Sequence, residues 1–129
     1  MLEKSERLKG HYLFNLVFKI GKTRNQKFHS KLLSLYYLFQ KKDINRLNKN
    51  TISPKVAFIA GLSVDKKAVK RNLIKRRMKA AYKTFKKPFV QNNKNISVIV
   101  FVANPPSKDA TFLQIKDSIK YLLAKLQNV

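Results

Sequence analysis

Apolar residues recur at intervals of three and four positions near the start of the chain, at Leu13, Leu16, Val17 and Ile20. This spacing places all four on one side of a helix, which we predict over 12–20. Glycine is common just beyond the last turn of a helix, so Gly21 is predicted to end this one.

Three other segments are rich in strand-forming residues. They are 32–39 (LLSLYYLF), 55–64 (KVAFIAGLSV) and 96–103 (ISVIVFVA). The last run is almost unbroken by polar residues, which is typical of a central strand buried on both faces. The polar, asparagine-containing segment 40–54 separates the first two strands and is predicted to be a long hairpin loop.

Two further helices are predicted from apolar periodicity, over 68–86 and over 109–126. The pair Pro105–Pro106 stops the third strand before the last helix begins. This order of elements predicts an α+β fold, a single-domain α-β sandwich over 1–129 in which about three helices pack on a small mixed sheet. The helix over 68–86 lies in a crossover between two strands, which it could join in parallel.

That crossover helix lies within a block of unusual charge. Residues 66–87 contain eleven lysines or arginines and no acidic residue. At 100° per residue one narrow arc of the helix is apolar and is predicted to face the sheet: Ile74, Met78, Ala81 and Phe85. A second arc is basic or amide: Arg71, Asn72, Lys75, Arg76, Lys79 and Lys83. A solvated helix face normally mixes both signs of charge, so an arc without acids indicates contact with a polyanion.

The composition of the whole chain agrees with that interpretation. Its 29 basic and 6 acidic residues give a formal net charge of +23, which indicates nucleic acid as the first partner and an anionic membrane only as the second. Cysteine is absent, so disulfide and thiolate chemistry are excluded. No apolar run approaches the roughly 18 residues of a membrane-spanning helix. We expect a cytoplasmic protein with no membrane partner and no small-molecule substrate.

The acidic residues and histidines do not suggest a catalytic site. The acids are scattered over different predicted elements, whereas metal-dependent nucleases cluster carboxylates around their ions. The two histidines, His11 and His29, are far apart in the sequence; a paired-histidine ribonuclease is conceivable, but surface or phosphate-contacting roles fit better. The sequence therefore predicts no catalytic residue and no metal ligand in this chain.

Aromatic residues near the N-terminus have two interpretations. Phe14 and Phe18 are four positions apart on the first helix, and strand alternation puts Tyr36 and Tyr37 on opposite faces of the sheet. Core packing is the simpler interpretation for any one of them. Aromatic side chains beside basic residues can also stack single-stranded bases. Spacing does not decide which of the two tyrosines faces the first helix.

Two motifs resemble the bacterial ribonuclease P protein component. The segment 61–82, GLSVDKKAVKRNLIKRRMKAAY, resembles the strand-to-helix signature of that family. The family's opening motif is matched by Arg7-Leu8-Lys9, Phe14, Val17-Phe18-Lys19 and Gly21. Order and length agree over nearly the whole chain, and the segment 40–54 is the least comparable part.

The resemblance implies an α-β sandwich of the ribosomal protein S5 domain 2-like type and the function of a ribozyme cofactor. In that family a catalytic RNA removes the 5′ leader of precursor tRNA with the help of Mg²⁺. The protein binds the catalytic RNA through its basic helix and receives the leader in a cleft between the first helix and the sheet. The resemblance thus implies catalysis in the RNA subunit, Mg²⁺ in the RNA–protein holoenzyme, and no cofactor on the protein alone.

The resemblance and the charge of the block together indicate the site residues. Contacts to the catalytic RNA are expected from Lys66, Lys67, Arg71, Asn72, Lys75, Arg76, Arg77 and Lys79. The leader cleft is expected to be lined by Phe14, Phe18, Lys19 and either Tyr36 or Tyr37. The alternative function is that of a ribosomal or RNA-chaperone-like basic RNA-binding protein without a processing role.

The chain departs from the family pattern at two places. The family usually has Arg-Asn-Arg where this chain has Arg71-Asn72-Leu73, so we expect one RNA contact to be lost or taken over by a neighbour. The connection from Lys67 to Ala68 is also shorter than is usual in the family, which predicts a tighter turn before the basic helix.

Overall fold

A computed structural model describes residues 7–8, 11–39, 54–92 and 96–128. Their helices and strands follow in this order: α1 (His11–Thr23), β1 (Lys27–His29), β2 (Leu33–Phe39), β3 (Lys55–Ile59), α2 (Ala68–Asn92), β4 (Ile96–Ala103), a 3₁₀ helix (Pro105–Asp109) and α3 (Phe112–Gln127). The predicted α+β class is therefore confirmed. Most of the segment 40–54, predicted as a hairpin loop, lies outside the described residues.

The described strands form one mixed sheet in the order β1-β2-β4-β3. β2 pairs antiparallel with both β1 and β4, and β3 pairs in parallel with β4. The helix between β3 and β4 is α2, so the predicted parallel crossover through the basic helix is confirmed.

Helices cover the two faces of the sheet unequally. On one face, Val17 and Ile20 of α1 pack with Leu38, Val98 and Val100 of β2 and β4. The opposite face, with α2 and α3, carries the larger core. The predicted central strand, β4, supplies buried residues to both cores because successive strand side chains point to opposite faces. We call the two surfaces of the sheet the α1 face and the α2–α3 face.

Gly21 does not end the first helix, and that prediction is wrong. α1 continues to Thr23, whose Oγ1 donates a hydrogen bond to the carbonyl of Lys19 at 3.0 Å. The chain leaves the helix only near Asn25, which has a positive φ of 56°. Gly21 is buried beneath the ring of Tyr36. Glycine is needed at this position because the ring leaves no room for a side chain, and not because the helix ends there.

The structure contains one strand that was not predicted, and one predicted strand is shorter than expected. β1 was not predicted, because Lys27–His29 lies in a basic, polar stretch with no alternating pattern; Phe28 stacks on Tyr37 and the segment pairs with β2. The second predicted strand, 55–64, ends at Ile59. Its last residues form a turn closed by a hydrogen bond from the Val64 amide to the Gly61 carbonyl. Val64 is apolar, which is typical of a strand, but its 3% exposure comes from packing of the turn against the core.

Helix ends were misplaced for local reasons. α2 passes through Pro88 to Asn92 instead of ending at Lys86. A proline leaves one carbonyl of the preceding turn without its helical partner, but Pro88 is exposed and Phe89 beside it is 1% exposed, so burial of Phe89 holds the helix to the core. α3 begins at Phe112 rather than 109, because Thr111 caps it through a capping box.

Candidate nucleic-acid interface

The apolar arc of α2 faces the sheet, as predicted. Ile74, Met78 and Ala81 are fully buried, and Phe85 is partly buried against the same core. Tyr82 and Phe89 widen this arc: Tyr82 packs against Phe58 and Phe101. Burial of this arc directs the remaining sides of the helix outward.

The other sides of α2 present the predicted basic residues. Asn72, Arg76, Lys79 and Lys83 are exposed, and Lys75 is partly buried. Lys66 and Lys67 are exposed in the turn before the helix. Because no acidic residue lies between Ala68 and Asn92, this surface carries positive charge without internal neutralisation.

Arg71 stabilises the turn that precedes α2. Its Nη1 donates to the carbonyls of Asp65 at 3.1 Å and Lys66 at 2.9 Å. The Asp65 carboxylate accepts a hydrogen bond from the Lys67 amide at 2.8 Å and lies 3.8 Å from the Lys108 ammonium. The hydrogen bond from the Lys67 amide is the main reason that the pKa of Asp65 is lowered. These bonds hold the turn between β3 and α2 together.

Arg77 is held away from the exposed basic surface. Its Nη1 donates to the carbonyl of Ala110 at 2.9 Å, at the start of α3, and the residue is partly buried. Neighbouring Arg76 is exposed. Leu73, where the sequence departs from the expected Arg-Asn-Arg pattern, is partly buried. The structure thus separates the predicted RNA-contacting residues into freely exposed groups and groups that also support the fold.

The segment before α1 extends the sheet beyond β3. Arg7 forms a parallel bridge with Val56, and the Leu8 amide donates to the Val56 carbonyl at 3.1 Å. A cavity of about 350 Å³ opens beside this segment. Its lining residues come from three parts of the chain: Arg7, Leu8, Val56, Ala57, Phe58, Lys75 and Lys79. Sequence reasoning did not predict this cavity, because residues distant in the sequence carry no periodic signal of their proximity.

Phe18 and Tyr36 form the centre of an aromatic surface on the α1 face. Their ring centroids are 4.9 Å apart in an edge-on arrangement. Phe14 packs against the same core and is partly buried, as are both members of the pair. Lys19, also predicted for the cleft, is exposed on α1. We use the name aromatic surface for Phe14, Phe18 and Tyr36.

Tyr37 lies on the other face of the sheet. Its ring stacks on Phe28 at 5.7 Å between centroids and meets Phe39 edge-on, and only 5% of the residue is exposed. The question that spacing left open is therefore answered in favour of Tyr36 as the tyrosine on the α1 face. Packing decides between the two tyrosines, because α1 covers one face and α2 and α3 cover the other.

The α1 face continues past the aromatic surface as a strip of the sheet. Ser34 lies two residues before Tyr36 and pairs with Val102, which in turn pairs with Ile59 of β3. Val102 and Ile59 are only partly buried. We call the cross-strand row that begins with His29 and continues through these three residues the second row. It gives the α1 face an accessible floor beyond Tyr36.

The described residues do not provide a site that fits Mg²⁺. Among residues 7–8, 11–39, 54–92 and 96–128, no three histidine or acidic side chains are grouped so that they could hold a metal ion. Asp65, in the turn before the basic helix, accepts a hydrogen bond from the Lys67 amide and lies 3.8 Å from the Lys108 ammonium. No helix of this part of the chain is long and apolar enough to cross a membrane.

Comparison with known proteins gives consistent matches. The ribonuclease P family model matches residues 2–127. The ribonuclease P protein component of Clostridioides difficile (strain 630) is 35% identical over 115 residues, which cover 87% of this chain and 83% of the relative. That of Staphylococcus carnosus (strain TM300) is 31% identical over 133 residues, covering 98% and 96%. The solved structure of the Staphylococcus aureus RNase P protein superposes with a TM-score of 0.72 at 24% identity, covering 95% of this chain and 96% of that one.

These matches extend over nearly the whole chain, and they do not favour the ribosomal or RNA-chaperone alternative. The similarity to the solved structure supports the α-β sandwich. Family membership implies an RNA subunit as partner and a role in an RNA-processing endonuclease complex. This chain therefore belongs to the ribonuclease P protein family.

Proposed function

We propose that the protein binds the catalytic RNA of ribonuclease P through α2 and the 5′ leader of precursor tRNA through the α1 face. The observation that carries this proposal is the relation between the two surfaces at the edge of β3. The cavity there joins Lys75 and Lys79 of α2 to Arg7 and to Ala57, whose side chain belongs to the α1 face. A single RNA assembly that lies along this edge can therefore contact both surfaces.

The exposed side of α2 is suited to RNA backbone. Asn72, Arg76 and Lys79 are exposed, and neutralisation of phosphates by such groups releases counterions and supplies affinity. Lys66 and Lys67 extend this basic surface into the turn that the hydrogen bonds of Arg71 stabilise. Arg71 keeps part of its guanidinium for RNA, since the two hydrogen bonds to the turn come from Nη1 alone.

The aromatic surface is suited to a single strand. Phe14, Phe18 and Tyr36 are all partly buried, so part of each ring remains accessible for stacking against a base. Lys27 pairs with Tyr36 across β1 and β2, and Lys19 is exposed on α1. Aromatic rings between lysines match the chemistry of a strand with stacked bases and a charged backbone.

We place the cleavage chemistry in the RNA subunit. The described acids do not form a metal site, and the Asp65 carboxylate is hydrogen-bonded to the Lys67 amide in the turn before α2. In this proposal Mg²⁺ belongs to the RNA–protein holoenzyme, and the protein's residues bind and orient the RNA. Maturation of tRNA with this RNA subunit would take place in the cytoplasm.

Reconstitution tests the proposal. The purified chain alone should leave precursor tRNA intact, whereas its addition to the cognate catalytic RNA should raise 5′ processing at low Mg²⁺ and should favour precursor over mature tRNA in binding. Cleavage by the nuclease-free protein alone would contradict the placement of the chemistry. Equal affinity of the holoenzyme for precursor and mature tRNA would contradict leader binding.

A further inference from the structure

A chain of hydrogen bonds at the end of the second row orients the imidazole of His29. Its Nδ1 lies 2.6 Å from the Ser34 hydroxyl, which lies 3.2 Å from Oδ1 of Asn104. The Asn104 amide nitrogen donates to the Ser30 carbonyl at 3.1 Å. This network ties β1, β2 and the end of β4 together on the α1 face.

The direction of each hydrogen bond follows from the one before it. Because the Asn104 amide nitrogen donates to a carbonyl, Oδ1 is the group turned towards Ser34 and can only accept. A serine hydroxyl has one hydrogen, and here it is donated to Asn104. The Ser34 oxygen must then accept from His29, so Nδ1 carries the hydrogen. In the neutral ring the lone pair is left on Nε2.

His29 is exposed, whereas its cross-strand neighbour Ser34 is 3% exposed. Because Nδ1 is hydrogen-bonded to Ser34, Nε2, on the other side of the ring, is the nitrogen of this exposed residue that is left for a ligand. The charged groups beside the aromatic surface, Lys19 and Lys27, can only donate hydrogen bonds. His29 therefore adds an oriented acceptor to a surface that otherwise offers phosphate-binding donors.

We propose that Nε2 of His29 accepts a hydrogen bond from a ribose 2′-hydroxyl of the leader nucleotide that lies next to the bases stacked on the aromatic surface. This inference rests on the proposed leader binding. The second row is one pleat, roughly 7 Å, beyond Tyr36 along β2, so a strand leaving the aromatic surface in this direction crosses it. A 2′-hydroxyl is present on every ribonucleotide, which suits a surface whose stacking tolerates any base. The contact would let the protein distinguish an RNA leader from DNA.

The test uses the holoenzyme reconstituted with the cognate catalytic RNA and a series of precursor tRNAs, each with a single 2′-deoxy nucleotide in the leader. For the unmodified protein, one deoxy position should weaken binding by about two- to tenfold, the range of one net hydrogen bond. His29→Phe keeps a flat ring without the acceptor. It should weaken binding of the all-ribose precursor by the same factor and should lose the sensitivity to that deoxy position.

Two further measurements separate this contact from a loss of fold. Nitrogen-15 NMR of the imidazole in the protein alone should show the hydrogen on Nδ1, and Ser34→Ala should abolish that preference and weaken leader binding while His29 is still present. Thermal unfolding of each variant identifies any general loss of structure. A neutral ring with its hydrogen on Nε2 and its lone pair on Nδ1 in the unmodified protein would overturn the assignment.

The outcomes distinguish this inference from the proposed function. If His29→Phe retains full affinity or full sensitivity to the deoxy position, or if binding responds to the base and not to the 2′-hydroxyl, the inference is wrong while leader binding stands. If the unmodified holoenzyme shows no preference for precursor over mature tRNA, leader binding itself fails.

Discussion

Gly21 lies so close to Tyr36 that any side chain on it would meet the tyrosine ring. A Cβ at this position would be 2.6 Å from Cδ1 of Tyr36 and 3.2 Å from Cε1, and contacts below 3.0 Å force one partner to move. Phe18 meets the same ring edge-on, so the ring is confined between two residues of α1. The glycine thus sets the position of the aromatic surface.

The effect of Gly21→Ala on stability should reverse with the residue at position 36. In the unmodified chain, overpacking against Tyr36 should lower the free energy of unfolding by about 1–3 kcal/mol. In a Tyr36→Ala background the same change should raise it by about 0.5–1 kcal/mol, since alanine is the better helix former. Urea denaturation of the four proteins measures both values. A stabilising Gly21→Ala in the presence of Tyr36 would show that the ring is free to move.

Arg76 and Arg77 are adjacent in sequence but should differ in effect. Arg76→Ala should weaken binding of the catalytic RNA and reduce the salt dependence of that binding by about one counterion, because Arg76 is exposed on the surface proposed to contact RNA phosphates. Arg77→Ala should instead destabilise the fold by about 1–3 kcal/mol, because the Ala110 carbonyl loses its donor. Both variants are measured by RNA titration at several salt concentrations and by urea denaturation, so that each variant is the control for the other. Interchanged results would mean that the wrong arginine faces the RNA.

Phe18→Ala should reduce binding of precursor tRNA by about 1–3 kcal/mol and leave mature tRNA unaffected, since a stacked leader base is lost. Phe28→Ala is the matched control: Phe28 is also a partly buried phenylalanine, but it stacks on Tyr37 in the core of the α2–α3 face. The control should change the affinities for the two tRNAs equally. Equal losses for Phe18→Ala would indicate that Phe18 serves only the core.

The contribution of Asp65 to stability should depend on pH. Its pKa is lowered in the folded protein below the ordinary 3.8, chiefly by the hydrogen bond from the Lys67 amide, so the folded state favours the ionised form. That stabilisation is complete above the unfolded pKa and is lost as the pH falls through the folded pKa. Asp65→Asn should therefore be less stable than the unmodified protein at neutral pH, and the difference should shrink below about pH 3.8.

Urea denaturation of both proteins over this pH range checks the prediction. Asp117→Asn, which changes an exposed acid of α3, is the control and should show no comparable loss at neutral pH. A difference between Asp65→Asn and the unmodified protein that stayed constant as the pH fell would assign the effect of Asp65 to packing instead of charge.

Local patterns in the sequence were enough for much of the fold. Among the described residues, three of the four strands, the three α-helices and the buried arc of α2 were predicted, because alternation and helical spacing indicate which side of each element is buried. The residues around Lys27–His29 show neither of these patterns. Their strand exists because β2 offers an open edge and Tyr37 offers a ring for Phe28.

Gly21 shows why a correct residue preference can lead to a wrong boundary. Glycine is common at helix ends and also where two parts of a protein touch closely, and the sequence alone does not distinguish these reasons. The partner that decides the case, Tyr36, is fifteen positions away and reaches Gly21 only after α1 packs on the sheet. The same applies to Arg77, which has the same residue type as Arg76 beside it but donates a hydrogen bond to the distant Ala110 carbonyl.

The sequence by itself determined the family, the fold class and the charge of the basic helix, since these reside in residue types and in their spacing along one segment. Tertiary structure alone decided that Tyr36 and not Tyr37 shares a face with Phe18, that Arg7 joins Lys75 and Lys79 at one cavity, and that Ser34 orients His29. Each of these depends on contacts between elements far apart in the chain. Such contacts are set by packing over the whole sheet, which no local pattern encodes.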